Sequence, residues 1–181
     1  MTYWFTADLH LSHENIIGYC NRPFHTVSEM DDVIIKNFQV IKPDDHLYIL
    51  GDVAWDLNAL KQFWATLKTT NIWVVFGNHD KGIRNFLKVH CCNVGEIMKV
   101  RIPDEDSENG KQRIIICHYA MRSWEGSHTG SWQLYGHSHG TLRPYGLQMD
   151  VGVDCNNFKP FSYDDVKKHM LVQKKRKEQT P

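Results

Sequence analysis

Short apolar runs, each stopping at a polar residue, set the rhythm of this chain. Tyr3 to Ala7, His46 to Leu50 and Ile72 to Phe76 are rich in β-branched and aromatic residues and end at Asp, Gly-Asp or Gly-Asn, which predicts buried strands. Between them apolar residues recur three and four apart: Met30, Val33, Ile34, Phe38 and Ile41 after a cap at Ser28, and Leu57, Leu60, Phe63, Trp64 and Leu67 after a cap at Asp56. That spacing predicts two amphipathic helices. The alternation implies parallel strands joined by right-handed crossovers, so all three strands bring their C-terminal ends to one edge. Leu11 to Val27 reads as a long loop with about one helical turn, and loops of that length inside a compact domain tend to be functional.

The second half has a different pattern. Gly95 to Ile102 and Gln112 to Cys117 read as paired strands across an acidic, solvated tip ending in Asn109-Gly110, a hairpin signal. Trp132 to Tyr135 is a further strand. Leu142 to Val153, broken at Tyr145-Gly146, reads as another hairpin, and Ser162 to Leu171 as a capped terminal helix. No repeat or linker divides the chain. A single domain over residues 1–173 is expected, followed by a basic, frayed tail over 174–181.

Composition narrows the class. With 181 residues, 41% hydrophobic and 23% charged, the chain is an ordinary globular domain, and its 21 basic and 21 acidic residues give no global field for nucleic acid or anionic membrane. Five cysteines without C-x-x-C spacing point to reduced thiols. The start lacks a basic, apolar leader and no run reaches spanning length, so a cytoplasmic protein without a membrane anchor is expected. Histidine is the outlier, with eleven.

Six of those histidines fall at strand ends beside carboxylates or amides. The strand ends collect Asp8, His10, Asp52, Asn78, His118, His137 and His139. Mixed nitrogen and oxygen donors suit manganese, iron, zinc, cobalt or nickel rather than calcium or a thiolate-bound zinc. Seven ligands exceed one tetrahedral ion but suffice for two sharing a carboxylate. Such a pair can clamp a phosphoryl group and activate water for in-line attack. A leaving oxygen also needs a proton, and His79 beside Asn78 is the candidate general acid, with Asp80 placed to orient it.

Around that core the readings are less specific. Ser12, His13 and Asn15 follow the first ligands and either touch substrate or satisfy their own loop. Arg22 reads as a phosphate clamp or an ordinary ion pair. Trp124 and Trp132 either stack a nucleobase or anchor the core.

The ordered blocks Asp8-x-His10, Gly51-Asp52, Gly77-Asn78-His79-Asp80, His118 and Gly136-His137-Ser138-His139 resemble the calcineurin-like metallophosphoesterase superfamily. The resemblance implies an α/β fold, a four-layer α/β/β/α sandwich of two mixed sheets flanked by helices. It assigns Asp8, His10, Asp52 and His139 to one metal, and Asp52, Asn78, His118 and His137 to the other, with Asp52 bridging. It departs at Cys117-His118-Tyr119, where a Gly often follows the His. The implied activity is binuclear, metal-dependent hydrolysis of phosphodiesters or monoesters by activated water or hydroxide. Two divalent ions are expected, manganese first, and the substrate is a phosphate ester, with a nucleotide among the candidates. A large nucleic-acid complex is not favoured, because no binding extension is evident. The rival is a non-catalytic, metal-binding interaction scaffold on the same fold.

Overall fold

A computed structural model describes residues 1–107, 109–143 and 145–178, with side chains to residue 175. The first half alternates as expected: β1 (Tyr3–Thr6), α1 (Glu14–Tyr19), α2 (Val27–Phe38), β2 (His46–Ile49), α3 (Leu57–Thr66), β3 (Ile72–Val75) and α4 (Arg84–His90). β4 (Asn93–Gly95) then joins the same sheet before the chain crosses to β5 (Ile97–Pro103), β6 (Lys111–Cys117), β7 (Trp132–Tyr135) and β8 (Gln148–Asp150). β9 (Phe161–Ser162) leads into α5 (Tyr163–Glu178). The fold is α/β: two mixed sheets flanked by helices, ordered β4-β3-β2-β1-β9 and β5-β6-β7-β8. β1 to β4 pair in parallel with β9 antiparallel, whereas β5 and β6 pair antiparallel before parallel β7 and β8.

Two-residue periodicity divides the first sheet between two cores. Leu47, Ile49, Ile72 and Val74 face α2 and α3, where Met30, Ile34, Phe38, Leu60 and Phe63 meet them. Phe5, Tyr48, Leu50 and Val75 face the second sheet and pack on Val100, Ile102, Ile114, Ile116 and Leu134, with Val166 and Met170 of α5 in the same cluster. Each such side chain contributes about 1.5–3 kcal/mol on burial. The result is a rigid frame whose strand ends cannot drift independently.

Local departures have local causes. α2 is capped by Thr26, not Ser28: Thr26 is extended and its side chain accepts from the Glu29 N–H, which places Ser28 inside the first turn. β4 takes Gly95 into the first sheet, and three residues are too few to show a period. The hairpin expected over 142–153 does not form. Tyr145 N–H donates to Gln148 Oε1, and the chain then enters β8 in the same direction as β7, giving a parallel pair. The acidic tip is tethered rather than simply solvated, since Lys167 donates to Asp104 and Asp106, both at 2.7 Å. α5 continues past Leu171 to Glu178, so most of the expected tail is helical, while residues 179–181 lie outside the described residues. Among the described residues no helix is long and apolar enough to cross a membrane.

Candidate metal centre

The segments leaving β1 and β2 are zipped together beyond the strands. Asp8 N–H donates to the Gly51 carbonyl and His10 N–H to the Asp52 carbonyl, both at 3.0 Å. Asp8, His10, Asp52, His137 and His139 all have left-handed backbones, with φ of 57°, 52°, 53°, 67° and 46°. That conformation costs an L-residue about 1–2 kcal/mol and persists where surrounding structure enforces it. It turns consecutive polar side chains inward where an extended strand would splay them. Close packing reinforces this: a Cβ on Gly77 would lie 2.1 Å from Asp52 Oδ1, and one on Gly51 would lie 2.6 Å from His118 Nδ1.

The side chains converge as two clusters. Asp8, His10 and His139 place donor atoms within 4.8 Å of one another, and so do Asp52, His118 and His137. Asp52 Oδ2 is the corner between them, 3.6 Å from His10 Nε2 and 3.4 Å from His118 Nε2. Asn78 Oδ1 lies 3.1 Å from His118 Nε2. The imidazoles are held from behind. His118 Nδ1 meets the Leu50 carbonyl and His139 Nδ1 meets Asp154 Oδ2, each at 2.7 Å, so both present Nε2 forward. His10 Nε2 is buried without a hydrogen-bond partner. A buried nitrogen left unpaired between carboxylates and imidazoles is what a divalent cation would satisfy, and the nitrogen and oxygen donors fit such an ion. Cys20, His139 and Asp154 form a third close group. Its carboxylate is already committed to Arg22 and His139.

Burial and pairing polarise the centre. Desolvation raises the Asp8 carboxyl to about 7 and lowers His10 to about 3, so His10 is neutral at physiological pH. For Asp52, burial pushes upward but the His118 hydrogen bond and charge outweigh it, and the carboxyl falls to about 2. The converse holds for His118: burial pulls it down, Asp52 more than compensates, and it rises to about 9. Without metal the corner is therefore an imidazolium–carboxylate pair.

The remaining expected residues separate. His79 is solvent-exposed, its N–H donates to Asp52 Oδ1 at 2.9 Å, and its ring lies 5.5 Å from that of His10. Asp80 does not orient it. Its carboxylate accepts from the N–H groups of Gly77, Asp52 and Val53 at 2.7, 3.0 and 2.9 Å, because the 3₁₀ turn Asp80–Gly82 swings it toward the backbone. It is a brace for the Asp52 and Asn78 loops. Arg22 is not available as a phosphate clamp: it is 4% exposed and donates to Asp154 through Nε and Nη2, to the Leu9 and Asp8 carbonyls, and to Met30 sulfur. All five of its N–H donors are thereby used. His13 does reach the centre, its ring 5.4 Å from that of His10. Asn15 sits exposed on the first turn of α1. Trp124 and Trp132 are buried, the first donating to the Ser131 carbonyl and the second stacked on Tyr163, so both anchor the core.

Asp154, Asp150 and Trp55 are additions. Asp150 accepts from Ser138 Oγ and from the N–H groups of Gly140 and Gly152, bracing the loop that carries His137 and His139. Asp150 ends β8 and could have been found by the rule that marked the candidate ligands, whereas Asp154 lies in the 3₁₀ turn Val153–Asn156 and could not. Trp55 lies just past Asp52 and stacks on His13 at 4.2 Å and 4°.

Comparison with known proteins agrees with this geometry. Residues 1–144 match the model of the calcineurin-like phosphoesterase family. The chain is 32% identical over 181 residues to the protein MJ1445 of Methanocaldococcus jannaschii, covering 94% of this chain and 91% of that one. It is 24% identical to the gene 66 protein of Mycobacterium phage L5, over 84% of this chain and 86% of the phage protein. Among solved structures, the AQ665 protein of Aquifex aeolicus superposes with a TM-score of 0.69 at 25% identity, covering 92% of this chain and 98% of the other.

Proposed function

This chain belongs to the calcineurin-like phosphoesterase family, whose members bind divalent metals and act on phosphate esters, and from that premise we propose that it is a two-metal phosphodiester hydrolase. The observation that carries the reading is the pair of donor clusters meeting at Asp52 Oδ2, with His10 Nε2 unpaired between them. Asp8, His10, Asp52 and His139 would hold one ion, and Asp52, Asn78, His118 and His137 the other. Two such ions, with manganese first among the candidates, supply Lewis acidity toward a phosphoryl oxygen and an activated water.

The chain's own residues do the rest. Asp52 ties the clusters together and, through Oδ1, fixes the His79 backbone. The His79 imidazole, at the solvent side of His10, carries an N–H that is donated to the leaving oxygen as its bond to phosphorus breaks. Asp80 keeps that loop in place without entering the chemistry. His13, backed by Trp55, walls the same side. An exposed acid beside an open cluster suits an ester whose leaving alkoxide needs the proton. The five free thiols are in keeping with a reducing, cytoplasmic setting.

The test is turnover of an aryl phosphodiester and an aryl phosphomonoester by purified protein with manganese. Replacing His79 by Ala should lower kcat on a diester with an alkoxide leaving group, such as a dinucleoside monophosphate, by about 10²–10⁴-fold, with a smaller loss on the aryl esters, while metal analysis still finds two ions. Two bound ions with no turnover of either ester would instead favour the interaction scaffold.

A further inference from the structure

Exposed aromatic rings are few in this protein and none is placed at random. Among the described residues four Phe, Tyr or Trp side chains are exposed: Tyr19, Trp55, Tyr119 and Tyr145. Each follows a ligand block. Tyr19 ends α1 beyond Asp8 and His10, Trp55 comes just after Asp52, Tyr119 is adjacent to His118, and Tyr145 lies in the segment after His139. All four therefore stand on segments leaving the metal edge of the sheets.

Two of them flank the reacting side directly. Trp55, 54% exposed, lies flat on His13, which is itself only 8% exposed and gives the indole a rigid back. The indole centroid is 5.6 Å from the His79 ring. Tyr119, 47% exposed, sets its hydroxyl 3.4 Å from Asn78 Oδ1 and its ring edge-on to His137 at 4.8 Å. Asn78 and His79 are consecutive, so each ring borders one residue of a single dipeptide. Behind Tyr119 the rim continues as a cation–π pair, Arg122 over Tyr145 at 4.4 Å.

We propose that the substrate is a single-stranded nucleoside phosphodiester with a base on each side of the scissile phosphate, one base stacking on Trp55 and the other on Tyr119. This rests on the hydrolase reading above. The remaining evidence limits the length of strand. With zero formal net charge the chain has no global field to track a long phosphate backbone, so affinity at the centre comes from ring stacking, which every base can use. His13, His79 and Asn78 interrupt the rings with polar groups, so they form separate platforms rather than the continuous apolar patch of a protein docking face.

The test compares two esters sharing one leaving group: the p-nitrophenyl ester of thymidine monophosphate and methyl p-nitrophenyl phosphate. The wild type should favour the thymidine ester in kcat/KM, and Trp55→Ala should lower that preference ratio about tenfold, with Trp55→Phe restoring most of it. Thymidylyl-thymidine as substrate should show the same dependence on Tyr119, Tyr119→Phe retaining what Tyr119→Ala loses. Binding of a fluorescent oligothymidylate to the metal-free protein, read by anisotropy, should weaken by a similar factor in both alanine variants. Equal kcat/KM for the two esters, unmoved by Trp55→Ala, overturns the substrate assignment and leaves the hydrolase standing. Failure to turn over either ester overturns the hydrolase and the assignment with it.

Discussion

The two halves of the metal centre are built to different standards. Around Asp8 and His10 no candidate ligand is exposed: the pair is 0% and 3% exposed, His139 is half-buried, and Arg22 and Asp154 hold the Asp8 carbonyl and His139 in place. Around Asp52 and His118 the outer ligands loosen, with Asn78 half-buried and His137 exposed. The first half is a piece of the core that ends in donors. The second is where the centre meets solvent, beside His79 and Tyr119. Rigidity and access are thus divided between two donor clusters that meet at one carboxylate.

The comparison breaks most visibly at Arg22. Arg22→Met leaves the Asp8 and Leu9 carbonyls without their side-chain donor and the half-buried Asp154 carboxylate with only His139. The expected loss is about 3–5 kcal/mol, a fall in Tm of about 6–20 °C, and a calorimetric change below about 1 kcal/mol would show that the bracing is dispensable. Next in size is metal content. Asp52→Asn should empty both halves, whereas His137→Ala should release only the outer ion, and equal stoichiometry in the two variants would deny Asp52 its place between them.

A pH series sharpens the contrast further. His118 is raised from 6.5 to about 9 by Asp52, so its contribution is complete below about pH 6.5 and lost as pH climbs through 9. Asp8, raised to about 7, adds to the fall below that pH, while His10, lowered to about 3, opposes it between about 3 and 6.5. Metal-free protein should therefore lose Tm between pH 6.5 and 9. With manganese the trend should reverse, because ions compete with protons for the same ligands. The smallest effect is the stability of metal-free His137→Ala, expected within about 0.5 kcal/mol of wild type by urea unfolding.

The ligands were legible because each sits where an apolar run stops, and a strand end can be read without knowing its neighbours. Orientation was not legible in the same way. Asp80 adjoins His79 in sequence, yet a single tight turn directs its carboxylate to three amides. For Arg22 the sequence leaves a phosphate clamp and an ion pair equally open, because the partner that decides between them lies 132 residues away. Trp124 and Trp132 lie between two candidate ligand blocks yet are buried, while nothing in the sequence beside the cap of α3 marks Trp55 as exposed. The parallel sheet followed from crossovers. β4, β8 and β9 depended on long-range pairing, which short segments do not announce.

The pairing of Arg22 with Asp154 also sets an order of assembly. Every candidate ligand from Asp8 to His139 leaves the ribosome before Asp154 does, and until then neither Arg22 nor His139 has the carboxylate that pairs with it in the folded chain. A nascent chain therefore carries the full ligand list without being able to lock it. The centre matures only when the last strands dock, so a chain arrested short of that point should be unable to retain the ion bound through His139.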